Sequence, residues 1–331
     1  MADDGARRRI PGRLILRRLL GALLTLLFVL CVNFFLFRIV DTDPLANMFR
    51  GRNVPREVIE NLRTSFGLDK PIGTQFVYYL RETFSLNLGI SYRSRQPVWD
   101  EIVSRVPATL ALVGSSAVFA GVFGTLGGIV AGWRRNTWKD HSITSSSMIL
   151  YSVPEFWLGM LLLLVFSVVL GWTPIGGMVT AGSDAQGLAR LADYLQHLFL
   201  PGLTLGLAYL GEYVLVTRSS LLEVMNEDYL TVARAKGLRD ARVRQHHALP
   251  NALLPVVTLA AINVGYVLSG AIAVEAVFSW PGLGEATANA VQGPDFPMLQ
   301  GLFLVFSASV IFFNLVADVL YAYLDPRVET L

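Results

Sequence analysis

The sequence predicts an all-α integral membrane protein with six transmembrane helices and an external insert between the first and second. Three observations carry this. Hydrophobic residues make up 53% of the 331-residue chain and charged residues 16%, against about 25% charged in an average soluble domain; the mean hydropathy is +0.51. Six apolar runs reach the ~20 residues that a membrane helix needs. Arg and Lys collect in alternate connections between those runs, which sets an orientation.

In chain order, residues 1–18 are a basic segment holding Arg7, Arg8, Arg9, Arg13, Arg17 and Arg18. The first span, 19–40, lacks a small-residue cleavage site after it and reads as a retained anchor, not a signal peptide. The insert, 41–107, carries charges of both signs but is long, and long translocated segments largely escape the positive-inside rule. Within it, 54–66 and 74–84 read as helices, with Gly67 stopping the first. Phe76, Tyr78, Tyr79, Phe84, Tyr92 and Trp99 argue for folded structure over a disordered connector. Residues 98–106 are amphipathic, with Val98, Ile102, Val103 and Val106 apolar, and are expected at the membrane interface until Pro107 turns the chain into the second span. The core, 108–331, then holds spans at 108–133, 143–170, 198–222, 252–278 and 300–323. Arg134, Arg135 and Lys139 lie between the second and third spans, and Arg218, in the last turn of the fourth span, is followed by Arg234, Lys236, Arg239, Arg242 and Arg244 before the fifth. The opposite side has Arg190 alone between spans three and four, and none between five and six. Both termini are therefore expected in the cytoplasm.

The most informative stretch is the cytoplasmic segment 226–250, NEDYLTVARAKGLRDARVRQHHALP. Asn226 can cap a helix whose first turn holds Glu227 and Asp228 and whose last turn holds Arg234 and Lys236, complementing the helix dipole. Gly237 follows where a left-handed residue ends many helices. Tyr229, Val232, Ala233 and Lys236 share one face. Asp240 can cap a second short helix, ending with His246 and His247, which Pro250 discourages from continuing. Two short helices at an angle make a knob suited to being gripped by another protein.

Several chemistries are missing. A phosphate-binding P-loop needs Gly-Lys before Ser or Thr, and none of Lys70, Lys139 and Lys236 follows a glycine. Ser115, Ser116 and Ser269 lie in spans while His141, His197, His246 and His247 lie at or outside span ends, so no nucleophile–base pair is indicated. The single cysteine, Cys31, excludes an intrachain disulfide and a cysteine-based metal cluster. No cofactor is expected in this chain. Ionisable groups in spans are costly and tend to face cavities: Pro154–Glu155 in the third span, Glu212 in the fourth and Glu275 near the outer end of the fifth are candidates for a translocation path or gate. The competing reading for each is a buried hydrogen bond to another helix. Asn33 reads as a helix–helix contact, and Pro154 as a kink.

Together these residues resemble the permease subunits of bacterial ABC importers, specifically the B-type partner of the dipeptide/oligopeptide/nickel group. Such permeases share a cytoplasmic Glu-Ala-Ala, three residues, Gly, nine residues, Ile-x-Leu-Pro. Here nine residues separate Gly237 from His247, Ala248, Leu249 and Pro250; Thr231 and Val232 replace Glu and the first Ala, Ala233 keeps the second, and His247 replaces Ile. The run Asp228–Leu238 is closer to the peptide group's own version. Leu88-Gly89-Ile90-Ser91, Pro97-Val98, Arg105–Leu110, Ser152–Trp157, Glu275 with Phe278 and Pro281–Gly284, and Asp318 with Tyr321 and Leu324–Arg327 match further segments in order.

The resemblance implies the type I ABC importer permease fold in a bacterial inner membrane. Its expected partners are a second permease, two ATPases that bind ATP and Mg, an external substrate-binding lipoprotein and membrane lipid, but not nucleic acid. It implies that Tyr229, Val232, Ala233, Arg234, Ala235, Lys236, Gly237, Leu238, His247, Leu249 and Pro250 couple to an ATPase, and that the solute is a di- or oligopeptide. A nickel importer of the same architecture, and an ATP-independent secondary transporter using Glu155 or Glu212, are the alternatives.

Overall fold

The computed structural model describes residues 12–40, 55, 57, 59–60 and 69–324. Among them every regular element is a helix, apart from one isolated antiparallel bridge between Ile90 and Pro97, and irregular connections such as 170–187 join the helices. The helix expected at 54–66 falls largely outside the described residues, as do most of the basic residues of 1–18.

Helix α1 is Gly12–Val40 and α2, within the insert, is Ile72–Phe84. Helix α3, Val98–Trp133, contains a π turn at Ala120–Gly124. Helices α4, Trp138–Ser152, and α5, Glu155–Val169, meet at a 101° bend. Helix α6 is Leu188–Val224 and α7 is Asp228–Ala235. Two single turns, α8 Asp240–Val243 and α9 Leu249–Ala252, flank a π turn at Arg244–Ala248. Helices α10, Leu254–Gly270, α11, Ile272–Val277, and α12, Leu283–Gln292, precede α13, Phe296–Leu324.

Among the described residues, four helices are long and apolar enough to cross a membrane: Leu16–Arg38, Val98–Trp133, Leu188–Val224 and Phe296–Val319. The bent α4–α5 pair passes together, and α10 contributes a shorter apolar stretch, Leu254–Asn263. These fall on the six predicted runs, with two differences. The helices outrun the apolar windows, because hydropathy marks only the lipid-depth middle of a helix whose backbone bonding continues into polar flanks. The fifth run is not one helix to Phe278: it breaks at Ala271 between α10 and α11.

Pro107 does not turn the chain. It lies inside α3, and residues 98–106 continue the same helix. Val98 and Ile102 are fully buried against Leu283, Met298 and Leu302. Tertiary packing on this face outweighs the one hydrogen bond that proline removes. Pro154 does produce the expected kink.

Helix α3 packs along α6 through a small-residue stripe. A Cβ at Gly124 would lie 2.5 Å from Tyr213 Cβ, and one at Gly128 2.5 Å from Thr217 Cβ and 2.7 Å from Val214 O. Close backbone approach of this kind replaces the hydrophobic drive that is absent in lipid. Gly128→Ala is expected to force the helices apart at a cost of ~1–3 kcal/mol, read as a lowered unfolding midpoint of the purified protein. Gly21→Ala, whose Cβ meets nothing within 4 Å, is the control. Equal midpoints for the two variants would contradict the packing account.

A second core gathers Leu112, Leu200, Val274, Phe278 and Trp280, with Trp280 Nε1 donating to the Ala108 carbonyl at 2.8 Å. The insert is held by aromatics and by one carboxylate. Phe34 of α1 meets Phe76 and Tyr79 of α2. Burial pushes the Tyr79 hydroxyl above its ordinary range, so it stays protonated. Asp295 is buried; it accepts from Ser91 Oγ, from the Tyr92 and Arg93 backbone N–H groups, and from Met298 N at the start of α13. At the other end, Arg18 of α1 pairs with Asp318 of α13, so the first and last helices begin and end on one side.

Candidate functional site: the knob and its attachment

The knob is built as α7, a glycine bend and the α8–α9 arm. Gly237 has φ +78°, the left-handed conformation expected of it, and the Gly237 and Leu238 N–H groups bond back to the Arg234 and Ala233 carbonyls. Three local expectations are corrected. Glu227, not Asn226, is the N-cap of α7, and no side chain caps it. Asp240 is the first residue of α8, not its cap, which is Arg239. Pro250 does not stop the arm: it sits in the first turn of α9. The π turn just before it absorbs the lost i→i−4 bond.

The expected face also divides. Leu230 and Ala233 point inward, packing with Leu221, Val243, Ala248 and Ala252, so Ala233 is a support and not a contact. Tyr229 is 39% and Val232 51% exposed, and Arg234, Ala235, Lys236, Gly237 and Pro250 are exposed as well. Leu238, His247 and Leu249 are half-buried. Tyr229 is also a brace: its hydroxyl receives Asn251 Nδ2 at 2.9 Å and reaches the His247 carbonyl at 3.4 Å, tying α7 to the second arm. The outward surface is thus a short apolar-and-basic patch on a rigid two-armed support.

Residues that sequence reasoning missed fasten this knob to the spans. Trp133, at the end of α3, packs on the knob's core. It donates Nε1 to Asp240 at 3.2 Å, and Arg244 lies over its ring. Asp140 is buried near the start of α4 and receives both Arg218 Nε at 2.6 Å and Nη2 at 2.9 Å from α6. Thr137-x-x-Asp140 is a readable helix-start signal, since Thr137 accepts from the Asp140 N–H. Arg218 was legible only as one more positive charge.

The candidate path residues separate. Glu155 is the first residue of α5, at the bend after the exposed Pro154. It is half-buried and makes no hydrogen bond or ion pair with the described residues. Glu212 accepts from Asn263 Nδ2 of α10 at 2.9 Å, a helix–helix bond. Tyr209, one turn before Glu212, lies within electrostatic reach of both carboxylates.

Glu275 takes the competing reading, a buried hydrogen-bonded group. It is 0% exposed and accepts Thr109 Oγ1 at 2.8 Å, Gly284 N at 2.7 Å and Glu285 N at 3.1 Å. It closes the N-terminus of α12, where a carboxylate satisfies orphan N–H groups. A Cβ at Gly282 would strike the Glu275 carboxylate and the Thr109 hydroxyl, which explains the glycines of the Pro281–Gly284 turn. Glu275→Gln is expected to cost ~1.5–3 kcal/mol in thermal unfolding while leaving transport intact at low temperature. Lost transport with unchanged stability would return Glu275 to the path.

Comparison with known proteins agrees with this architecture. Residues 124–330 match the family of binding-protein-dependent transport system inner membrane components, and residues 12–113 match the N-terminal part of that system's membrane component. The chain is 39% identical over 329 residues to the di/tripeptide transport system permease protein DppB of Pseudomonas aeruginosa, covering 94% of this chain and 97% of that one. It is 41% identical over 315 residues to the glutathione transport system permease protein GsiC of Escherichia coli K12, covering 95% and 98%. The fold is similar to that of an inward-facing MetNI methionine ABC transporter, with a TM-score of 0.55 at 19% identity over 68% of this chain and 96% of that one. With spans, knob and both matched regions in register, the chain belongs to the binding-protein-dependent transport system inner membrane component family.

Proposed function

We propose that this chain is one of two permeases in an ATP-driven importer of small peptides, oriented with the knob and both termini in the bacterial cytoplasm. The observation that carries the reading is the glycine-bent knob, whose exposed Tyr229, Val232 and Lys236 form a compact docking patch while Leu230 and Ala233 hold it to the spans. The names of the similar permeases support peptides as the solute. The Arg18–Asp318 pair supports a common side for the two termini.

In this reading a partner ATPase grips the knob. Closure of two ATPases around ATP and Mg displaces it, and the displacement reaches α3 through Trp133 and α4 through the Asp140–Arg218 pair. The spans then open toward an external binding lipoprotein that delivers the peptide. ATP is hydrolysed on the partners. The half-buried Glu155 and the Tyr209–Glu212 pair flank the path, and a carboxylate there suits the ammonium end of a peptide.

The experiment is a mild-detergent purification of the tagged chain from its own host, with mass spectrometry of what accompanies it and uptake of labelled dipeptide by the reconstituted assembly. Recovery of a second permease and two ATPases, with ATP-dependent dipeptide uptake, is expected. A stable lone chain whose transport needs no ATP and collapses with a protonophore would overturn the reading.

A further inference from the structure

Among the described residues, three neighbouring cavities that share lining residues lie along the seam between α1, α2 and α13. An outer chamber of about 310 Å³ is walled by Phe34, Tyr78, Tyr79 and Phe296, with Arg38 and Glu82 among its lining. An inner chamber of about 60 Å³ lies against Asn33, Thr83 and Asn87, and shares Tyr79 and Glu82 with the outer one. Below it, sharing Thr83 and Leu304, opens a groove of about 430 Å³ lined by Leu26, Leu30, Ala308, Phe312 and Phe313. Gln300 to Phe313 of α13 rises roughly 20 Å at ~1.5 Å per residue, comparable with the ~15 Å depth of one leaflet's hydrocarbon. The track therefore runs from a polar, aromatic mouth near the insert down an apolar wall between two spans.

One atom in this track lacks a partner. Asn33 is fully buried. Its amide nitrogen donates to Tyr79 OH at 3.1 Å and to the Gln300 carbonyl at 3.2 Å, which fixes the orientation of the amide. Its Oδ1 then has no donor among the described residues. A buried acceptor left unpaired costs ~1–3 kcal/mol, so the inner chamber asks for a group that brings N–H or O–H. Glu82 adds negative charge at the same place, one of its oxygens already receiving Asn87 Nδ2 at 2.6 Å.

We propose that this seam binds one phospholipid carrying a primary ammonium head group, taken from the leaflet on the insert's side. An acyl chain fills the groove, the ammonium meets Asn33 Oδ1, Glu82 and the aromatic walls, and the phosphate lies beside Arg38. A primary ammonium has three N–H donors for these acceptors and gains from the aromatic faces. A trimethylammonium head has no donor for Asn33 and is too bulky for the inner chamber. A phosphoglycerol head puts no positive charge at Glu82. A peptide would leave its backbone groups unpaired along the apolar groove. The inference rests on α1 and α13 being membrane spans and not on the identity of the solute.

The test uses the complete assembly, reconstituted in vesicles of equal parts phosphatidylethanolamine, phosphatidylcholine and phosphatidylglycerol, re-extracted gently and analysed by native mass spectrometry. The wild type is expected to retain one phospholipid per copy of this chain, enriched in phosphatidylethanolamine. Glu82→Gln should lower the ratio of retained phosphatidylethanolamine to phosphatidylglycerol about tenfold, the equivalent of ~1.4 kcal/mol. Ala308→Trp, which fills the groove, should remove the retained lipid. If the Trp variant does not assemble, the Glu82→Gln ratio decides alone, since Glu82 is exposed and its loss leaves packing intact. No retained lipid in the wild type, an unchanged ratio in Glu82→Gln, or full retention in an assembled Ala308→Trp each overturns the proposal.

Discussion

Gly237→Val is expected to abolish uptake while leaving the protein in the membrane at normal abundance. Gly237 has φ +78°, and a Cβ built on it meets nothing within 4 Å. The penalty is therefore purely conformational. Left-handed backbone costs an ordinary L-residue ~1–2 kcal/mol, and a β-branched residue is worse placed there. The chain would escape by flipping the bend, losing the Leu238 N–H bond to the Ala233 carbonyl and swinging α8 away from α7. Because the spans pack independently of this bend, folding survives but the docking patch loses its shape. Gly237→Asn is the informative partner variant, since asparagine tolerates the left-handed region. Uptake should fall more than about tenfold in the valine variant and stay near normal in the asparagine variant. ATP hydrolysis by the reconstituted assembly should cease to respond to substrate in the valine variant alone. Equal uptake and equal stimulation across wild type, Val and Asn would remove Gly237 from coupling.

That prediction rests on a feature the sequence displays openly. A glycine after a basic last turn is a local signal, and local signals survive into the structure: the bend at Gly237, the kink at Pro154 and the apolar runs all stand where the residue types put them. The boundaries were less legible. Hydropathy detects lipid depth, not helix ends, so α6 begins at Leu188, well before its apolar window. Pro107 shows the same limit, for its local preference is to turn and the buried contacts of Val98 and Ile102 keep it in a helix.

The roles of charged residues were the hardest to read, because they depend on partners distant in sequence. Glu275 and Glu212 look alike as lone acids in apolar runs. One closes a nearby helix N-terminus and also accepts from Thr109, 166 residues away; the other bonds Asn263, 51 residues away. The aromatic anchor Trp133 reads as a span-end tryptophan until the fold brings Asp240 and Arg244 to it. The knob's face was legible as a helical stripe, but which half of the stripe is outward is set by the core around Leu221 and Val243.

The Asp140–Arg218 pair shows what such distant partners can hold. Asp140 is 1% exposed. Besides the two Arg218 bonds it accepts the Asn136 N–H at 2.9 Å and the Thr144 hydroxyl at 3.2 Å. Arg218→Leu is expected to leave a buried carboxylate without its counter-charge and to destabilise the protein by ~3–5 kcal/mol, read as a large fall in unfolding midpoint or loss of assembly. Arg218→Lys should recover only part, because a point charge cannot make the two-pronged contact. Removing both charges in Asp140→Leu with Arg218→Leu should be milder than Arg218→Leu alone, since no buried charge remains unpaired. If Arg218→Leu shifts stability by less than ~0.5 kcal/mol, as an ordinary surface change does, the pair holds nothing. The double variant carries the functional part of the test. It keeps the helices together without the bidentate link between α4 and α6, ten residues before the knob begins at Asp228. If it assembles and its ATPases turn over without moving substrate, then the pair is a transmission element and its burial serves coupling; if it transports normally, then the pair serves folding alone and coupling runs through the knob's other contacts with the spans, at Trp133 and Leu221.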